Sequence, residues 1–192
     1  MHHTSQMVKM LRYKPIETDL ELQQVLALQQ QNLGVHLTPA EIATQGFLTV
    51  QHDYATLKEM NDLEQGIMAT NGDEIAGYIL AMTKDLRTAI PILISMFDTF
   101  DAMEYAGRRL NTYRYIVVGQ VCVAAGYRGQ GLFDGMYDAY RRLLSPKYDF
   151  AITEISTRNL RSLRAHQRVG FQIVHEFVAP DGEAWHIVIW NW

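Results

Sequence analysis

The stretch that most constrains this chain is a β-compatible run that breaks into a glycine-rich turn and then into a helical pattern. Arg114 to Val123 reads as a strand and Gly126 to Gly131 as a tight turn. From Leu132 a helical pattern turns Phe133, Met136, Tyr137, Tyr140, Leu143 and Leu144 inward and Asp134, Asp138, Arg141 and Arg142 outward. Ser145-Pro146 ends that helix. Such a turn aims several backbone N–H groups and the positive end of a helix at one spot, which suits a phosphate-bearing ligand.

Two familiar phosphate sites fit these glycines poorly. A P-loop needs lysine and a hydroxyl residue directly after its last glycine, and Leu132-Phe133 stands there instead. No phosphate cation or magnesium ligand is left, so that reading is rejected. A dinucleotide fold would use Gly129, Gly131 and Gly135, with Glu154 near the place of a ribose-binding acid. However, the turn sits mid-chain behind an antiparallel hairpin, and too few strand–helix alternations follow for a doubly wound sheet. An NAD(P)-binding oxidoreductase is therefore the third reading.

The rest of the chain supplies the frame. Leu11 to Ile16 reads as a first strand. Thr18-Asp19 starts a helix carrying Leu22, Val25, Leu26 and Leu28, with Gly34 suited to its C-terminal cap. Thr38-Pro39-Ala40-Glu41 is a second helix start, and about Tyr54 to Asn61 a third short helix. Ile67 to Thr70 and Glu74 to Met82, joined by Asn71-Gly72-Asp73, form the clearest hairpin signal. Lys84 to Asn111 reads as an interrupted helical lobe rich in Met and Phe, suited to plain core packing or to lining an adaptable apolar pocket. Phe150 to Ile155 is another strand, Asn159 to Val169 a helix closed by Gly170. Phe171 to Val178 and Ala184 to Trp190 form a final hairpin.

Composition excludes several function classes. The 192 residues are 48% hydrophobic with a net charge of -4, an ordinary profile for one domain and no electrostatic case for nucleic acid. A single cysteine, Cys122, allows no internal disulfide. No apolar run approaches the roughly 18 residues of a membrane span, and the N-terminal Met-His-His-Thr-Ser-Gln is unlike a signal peptide. A cytoplasmic protein without a membrane or nucleic-acid partner is the expectation. The seven histidines show neither an i, i+4 pair nor a cysteine partner at zinc spacing, so no metal is expected. No Gly-x-Ser-x-Gly elbow points to acyl-enzyme chemistry.

The third phosphate site is the best match. Arg128-Gly129-Gln130-Gly131-Leu132-Phe133 resembles the Arg/Gln-x-x-Gly-x-Gly/Ala signature of the GNAT acetyltransferase superfamily, and Val121-Cys122-Val123 resembles that family's fourth strand. Downstream, Asn159-x-x-Ser162-x-x-x-His166-x-x-x-Gly170-Phe171 resembles its second cofactor motif. Two departures stand out: Phe133 replaces a small residue, and His166 stands where tyrosine is frequent. The matches cover roughly the C-terminal half; the N-terminal elements agree in order only.

The resemblance implies an α/β fold of the α+β type. Its single domain, residues 1–192, has a central mixed, mostly antiparallel sheet with splayed fourth and fifth strands, flanked by helices and elaborated at about residues 84–111. It also implies acetyl-CoA (CoA) as cofactor. The pantetheine arm would pair with the backbone of Val121, Cys122 and Val123, as an extended arm with two amides satisfies an open strand edge. The pyrophosphate would lie on the N–H groups of Arg128, Gly129, Gln130, Gly131, Leu132 and Phe133. Gly135 serves either that approach or helix–sheet packing. Asn159 caps a helix and reaches the CoA arm or only caps it, and Ser162 belongs to the same motif. Cys122, alternating with Val121 and Val123, is expected to be small buried packing.

The reaction implied is direct transfer of acetyl to a primary amine of a small molecule or peptide. It needs a proton acceptor for the amine, a polarised carbonyl and a proton for the departing thiolate. His166 stands at the position of the family's proton donor, Glu154 is the candidate base, and Gln120 the candidate for orienting substrate. A non-catalytic CoA-binding sensor or interaction module is the alternative. Trp185, Trp190 and Trp192 either pack the core or form the edge of a homodimer.

Overall fold

The structure, a computed structural model, describes residues 10–192, without the side chains of residues 43–45. One sheet is built from β1 (Leu11–Pro15), β2 (Ile67–Asn71), β3 (Glu74–Met82), β4 (Tyr115–Val123), β5 (Phe150–Ser156), β6 (Gln172–Val178) and β7 (Ala184–Trp190). Its order is β1-β2-β3-β4-β5-β7-β6, and every adjacent pair is antiparallel except β4 with β5. The helices are α1 (Asp19–Asn32), α2 (Pro39–Gln45), α3 (Tyr54–Leu63), α4 (Ile94–Ala102), α5 (Leu132–Leu144) and α6 (Leu160–Val169). This is the mixed, mostly antiparallel sheet flanked by helices that the sequence led us to expect.

Strand alternation divides the core in two. Ile152 packs on the side of α1, α3 and α4 with Leu57, Met60 and Phe100. Ala151 and Ile155 pack on the side of α5 and α6 with Met136, Tyr137 and Leu163. Trp190 joins the second side, in edge contact with Tyr137 and Trp192. The lobe between β3 and β4 is helical at α4, whose Met96, Phe97 and Phe100 are buried. It then closes with a short hairpin, Glu104–Tyr105 against Arg108–Arg109.

Local capping chemistry sets most helix starts. Thr18 with Glu21 and Thr38 with Glu41 form complete capping boxes, and Asp53 caps α3. The end of α1 departs from expectation, because Gly34 is not its cap. The chain leaves through Leu33 in extended conformation, and Leu48 from the α2–α3 connection satisfies it: Leu48 N–H donates to Asn32 C=O at 3.1 Å, and Gly34 N–H to Leu48 C=O at 3.0 Å. A tertiary bridge does the work a local glycine cap would do.

The decisive irregularity is in β4. Leu80 pairs with Gln120 but Ala81 pairs with Val118, so Gly119 is an extra residue on β4. Such a bulge bends a strand and exchanges the faces of everything beyond it. Gln120 and Cys122 consequently point to the α1 and α3 side, while Val121 and Val123 pack towards α5. The alternation expected for Cys122 is present; burial pushes its thiol up to about 12, and it is inert packing.

Candidate active site

The parallel pairing of β4 with β5 covers only Tyr115–Val117 against Phe150–Ile152. Beyond it the strands separate, the Thr153 hydroxyl donating across the floor of the opening to Val118 C=O at 2.9 Å. Above that floor is a cavity of about 110 Å³ walled by Val117 to Val121, Thr153 to Ser156, Phe47 to Val50, Leu93, Met96 and Trp185. A second cavity, about 530 Å³, shares Phe47, Leu48, Val121, Asn159 and Ser162 with it and opens onto the glycine loop. The sheet thus splays where the sequence resemblance puts the splay, and the bulge at Gly119 sits beside the last pair.

The loop is shaped by two glycines with left-handed backbone, Gly129 at φ 72° and Gly131 at φ 79°. Nothing lies within 4 Å of the position where a side chain would begin on either, so the space above them is open. Gly131 is the N-cap of α5 without a side-chain cap, which leaves first-turn N–H groups facing that opening. The loop is braced from beneath. Gln130 Nε2 donates to Gly126 C=O at 2.8 Å, and Tyr127 Oη donates to Glu74 at 2.8 Å. Arg128 donates through Nε to Val123 C=O and through Nη2 to Asn32 Oδ1 at 2.6 Å. Arg161, Arg164 and Arg168 add cationic side chains to the wall of the larger cavity. An open glycine cradle, a helix N-terminus and a cationic wall fit a pyrophosphate-bearing group.

Gly135 resolves in favour of packing. A side chain there would collide with the ring of Tyr13 on β1, so its smallness serves helix–sheet contact. Phe133 turns its ring into the seam between α5 and α6, against Tyr137 and His166 at centroid distances of 5.0 and 5.1 Å. The large residue at this motif position is therefore absorbed by the second core and also lines the larger cavity.

Asn159 caps α6, its Oδ1 accepting from Ser162 N–H at 3.3 Å. Its Nδ2 donates to Phe47 C=O at 3.2 Å, tying the Gly46–Leu48 strap across the two cavities. Ser162 lines both cavities and lies 3.3 Å from His166 Nδ1 through its hydroxyl.

His166 is 2% exposed and has both ring nitrogens engaged. Nδ1 lies 2.8 Å from Ser162 C=O, a group that only accepts, so Nδ1 carries the proton; Nε2 then accepts from Tyr137 Oη at 2.7 Å. Burial lowers the imidazole to about 4. This corrects the expectation of His166 as proton donor: the ring is neutral near pH 7 and its single N–H is committed to a carbonyl.

Glu154 shares its strand face with Ile152 and its register position with Ile187, which puts it on the α4 side of the cavity. Its Oε2 is buried without a hydrogen-bond partner. Burial first, and then the charge of Asp181, raise the carboxyl to about 8. Glu154 and His166 are the only ionisable groups among the described residues lining this cavity.

Gln120 borders the cavity but its amide is heavily used. Oε1 accepts from Gln29 Nε2 at 2.8 Å and from Tyr78 Oη at 2.6 Å, while Nε2 donates to Val50 C=O at 2.8 Å. Gln29 also lies 2.8 Å from His52 Nδ1 and accepts from His52 N–H. This corrects the expectation that Gln120 orients substrate: it is a strut holding the Val50 backbone in the cavity wall. The residues missed from sequence are Phe47, Leu48, Val50, Leu93, Met96, Gln29 and Tyr78. None belongs to a motif; only the Met- and Phe-rich character of the lobe pointed towards any of them.

No protein-family profile and no curated protein matches the sequence. Solved structures do match its fold. Ard1 from Thermoplasma volcanium superposes with a TM-score of 0.64 at 13% identity, covering 96% of this chain and 98% of that one. NAA60 of Arabidopsis thaliana in complex with acetyl-CoA gives 0.61 at 11% identity, with 95% and 99% covered. The ribosomal-protein-S18-alanine N-acetyltransferase of Escherichia coli gives 0.60 at 13% identity, with 95% and 94% covered. The fold is that of the GNAT N-acetyltransferases. Among the described residues no helix is long and apolar enough to cross a membrane.

Proposed function

We propose that this chain is an acetyl-CoA-dependent N-acetyltransferase that passes acetyl directly to a primary amine. The observation that carries the reading is the splay. Strands β4 and β5 part after three residue pairs, and the gap joins a glycine cradle on one side to a cavity on the other, where the Glu154 carboxyl has a buried oxygen without a partner. Neighbours of the same fold include structures determined with acetyl-CoA or CoA.

Acetyl-CoA, when bound, supplies an activated acetyl thioester. The remaining work falls to residues of this chain. Gly129, Gly131 and the first turn of α5 would hold the pyrophosphate, and the separated edge of β4 at Val121 to Val123 would receive the extended arm. Ser162, in the first turn of α6, lines both cavities and would flank that arm. Glu154, titrating near 8, takes the proton from the incoming ammonium. It is then also the ionisable lining group that holds a proton to return when the sulfur leaves.

Calorimetry and a thiol-release assay test this. Acetyl-CoA should bind, and Glu154→Gln should cut thiol release by about 10²-fold or more with acetyl-CoA affinity unchanged. Absence of binding would sink the reading. A second reading, a CoA-binding sensor without turnover, is favoured by one observation: His166, at the family's proton-donor position, has both nitrogens engaged. Tight binding with no thiol release over a broad amine panel would select it.

A further inference from the structure

The acceptor half of the cavity has a composition that discriminates among amines. Leu48, Val50, Leu93, Met96 and Trp185 line it with aliphatic, thioether and indole surface. Of the polar residues there, Gln120 spends its carboxamide on Gln29, Tyr78 and Val50 C=O, Thr153 donates to Val118 C=O, and Thr49 stands exposed at the rim. The carboxyl of this wall is Glu154, with a buried oxygen that has no partner.

Resting on the acetyl-transfer reading, we propose that the acceptor is a primary monoamine carried on a compact, uncharged apolar body. One carboxyl balances one ammonium, and the pair can be buried without a net charge. A carboxylate beside the amine, as in a free amino acid, would enter a wall without lysine or arginine and remain unpaired. The basic group closest to Glu154 in sequence, Arg158, is exposed and bound through two nitrogens to Glu183. A second ammonium would find no second carboxyl in the wall. Asp181 is exposed on the β6–β7 turn, where water screens it, so it steers cations towards the mouth without pairing one inside. The volume of about 110 Å³ admits a narrow amine-bearing end, and Trp185 and Met96 offer a ring face and a polarisable contact to an apolar group.

Thiol release from acetyl-CoA should be measured with four matched probes: 2-phenylethylamine, phenylalanine, putrescine and a C-terminally amidated tetrapeptide beginning with phenylalanine. The expected kcat/KM for 2-phenylethylamine exceeds that for phenylalanine by about 100-fold and those for putrescine and the peptide by about tenfold, since each competitor leaves a polar or charged group unpaired. Thr49, exposed on the cavity rim, provides a variant safe for folding. Thr49→Lys should narrow the gap between phenylalanine and 2-phenylethylamine by at least about threefold through its added cation. Preference for phenylalanine, putrescine or the peptide would overturn the inference while leaving acetyl transfer standing. Silence with every probe, despite acetyl-CoA binding, would bring down acetyl transfer and this inference with it.

Discussion

Tyr137 Oη lies 2.7 Å from Nε2 of His166, and both side chains are buried between α5 and α6. With Nδ1 bound to Ser162 C=O, this contact makes the imidazole a three-way tie between the two helices and its own first turn. A ring so held stabilises the seam beside the larger cavity, and it has no proton to spare.

His166→Phe should therefore act on stability rather than on chemistry. It strands the Tyr137 hydroxyl, and an unpaired buried polar group costs about 1–3 kcal/mol. The melting temperature should fall while the pH–rate profile of the surviving enzyme keeps its shape. Loss of a titrating limb from that profile would instead return His166 to the chemistry.

Glu154→Gln should do the opposite. The carboxyl titrates at about 8 instead of 4.5, so between those values the folded chain holds a proton that the unfolded chain has released. Stability of the native protein therefore falls as pH rises through that window, by about 1.4 kcal/mol per pH unit at most. Glutamine does not titrate, so the variant should gain stability relative to the native protein at pH 9 but not at pH 5, while turnover collapses. Denaturant midpoints at the two pH values check this. In the native protein kcat/KM should rise with pH and level off above about 8 as Glu154 ionises.

Acid should unfold the protein through its buried histidines. His52 and His166 both titrate near 4 rather than 6.5, largely from burial. From 6.5 down to 4 the unfolded chain takes up protons that the folded one refuses. Stability present above 6.5 is lost over that interval, by roughly 3 kcal/mol per histidine at most. Replacing His52 by glutamine should flatten part of the slope of melting temperature against pH; an unchanged slope would show that His52 does not contribute.

Gly131 and Gly135 should separate cleanly. Gly131→Ala forces an L-residue to φ 79° and puts a methyl into the open cradle. It should lower acetyl-CoA affinity by tenfold or more, with about 1–2 kcal/mol of folding cost. Gly135→Ala overpacks against Tyr13 and should cost about 1–3 kcal/mol with affinity intact. Tyr13→Ala in the same chain should recover much of that loss. Failure of this rescue would return Gly135 to the phosphate site.

By itself the sequence determined the strand–turn–helix around Gly129 and Gly131, the helix starts at Thr18 and Thr38, the Asn71-Gly72 hairpin and the Asn159 cap. Each of these depends on a few neighbouring residues: a positive φ, a side chain reaching its own first turn, or a helical period. The two motifs behind the proposed cofactor were legible for the same reason, since both are local. The tertiary structure decided what depends on distant partners. Leu48 rather than Gly34 closes α1, Tyr13 explains Gly135, and Tyr137 occupies Nε2 of His166. Gln29 and Tyr78 occupy Gln120. Glu154 is raised to about 8 because packing buries it, and Leu93, Met96 and Trp185 meet only across the splay. A hydrogen-bond partner 91 residues away, as between Gln29 and Gln120, leaves no trace in local pattern, yet it decides which polar groups remain free to do chemistry.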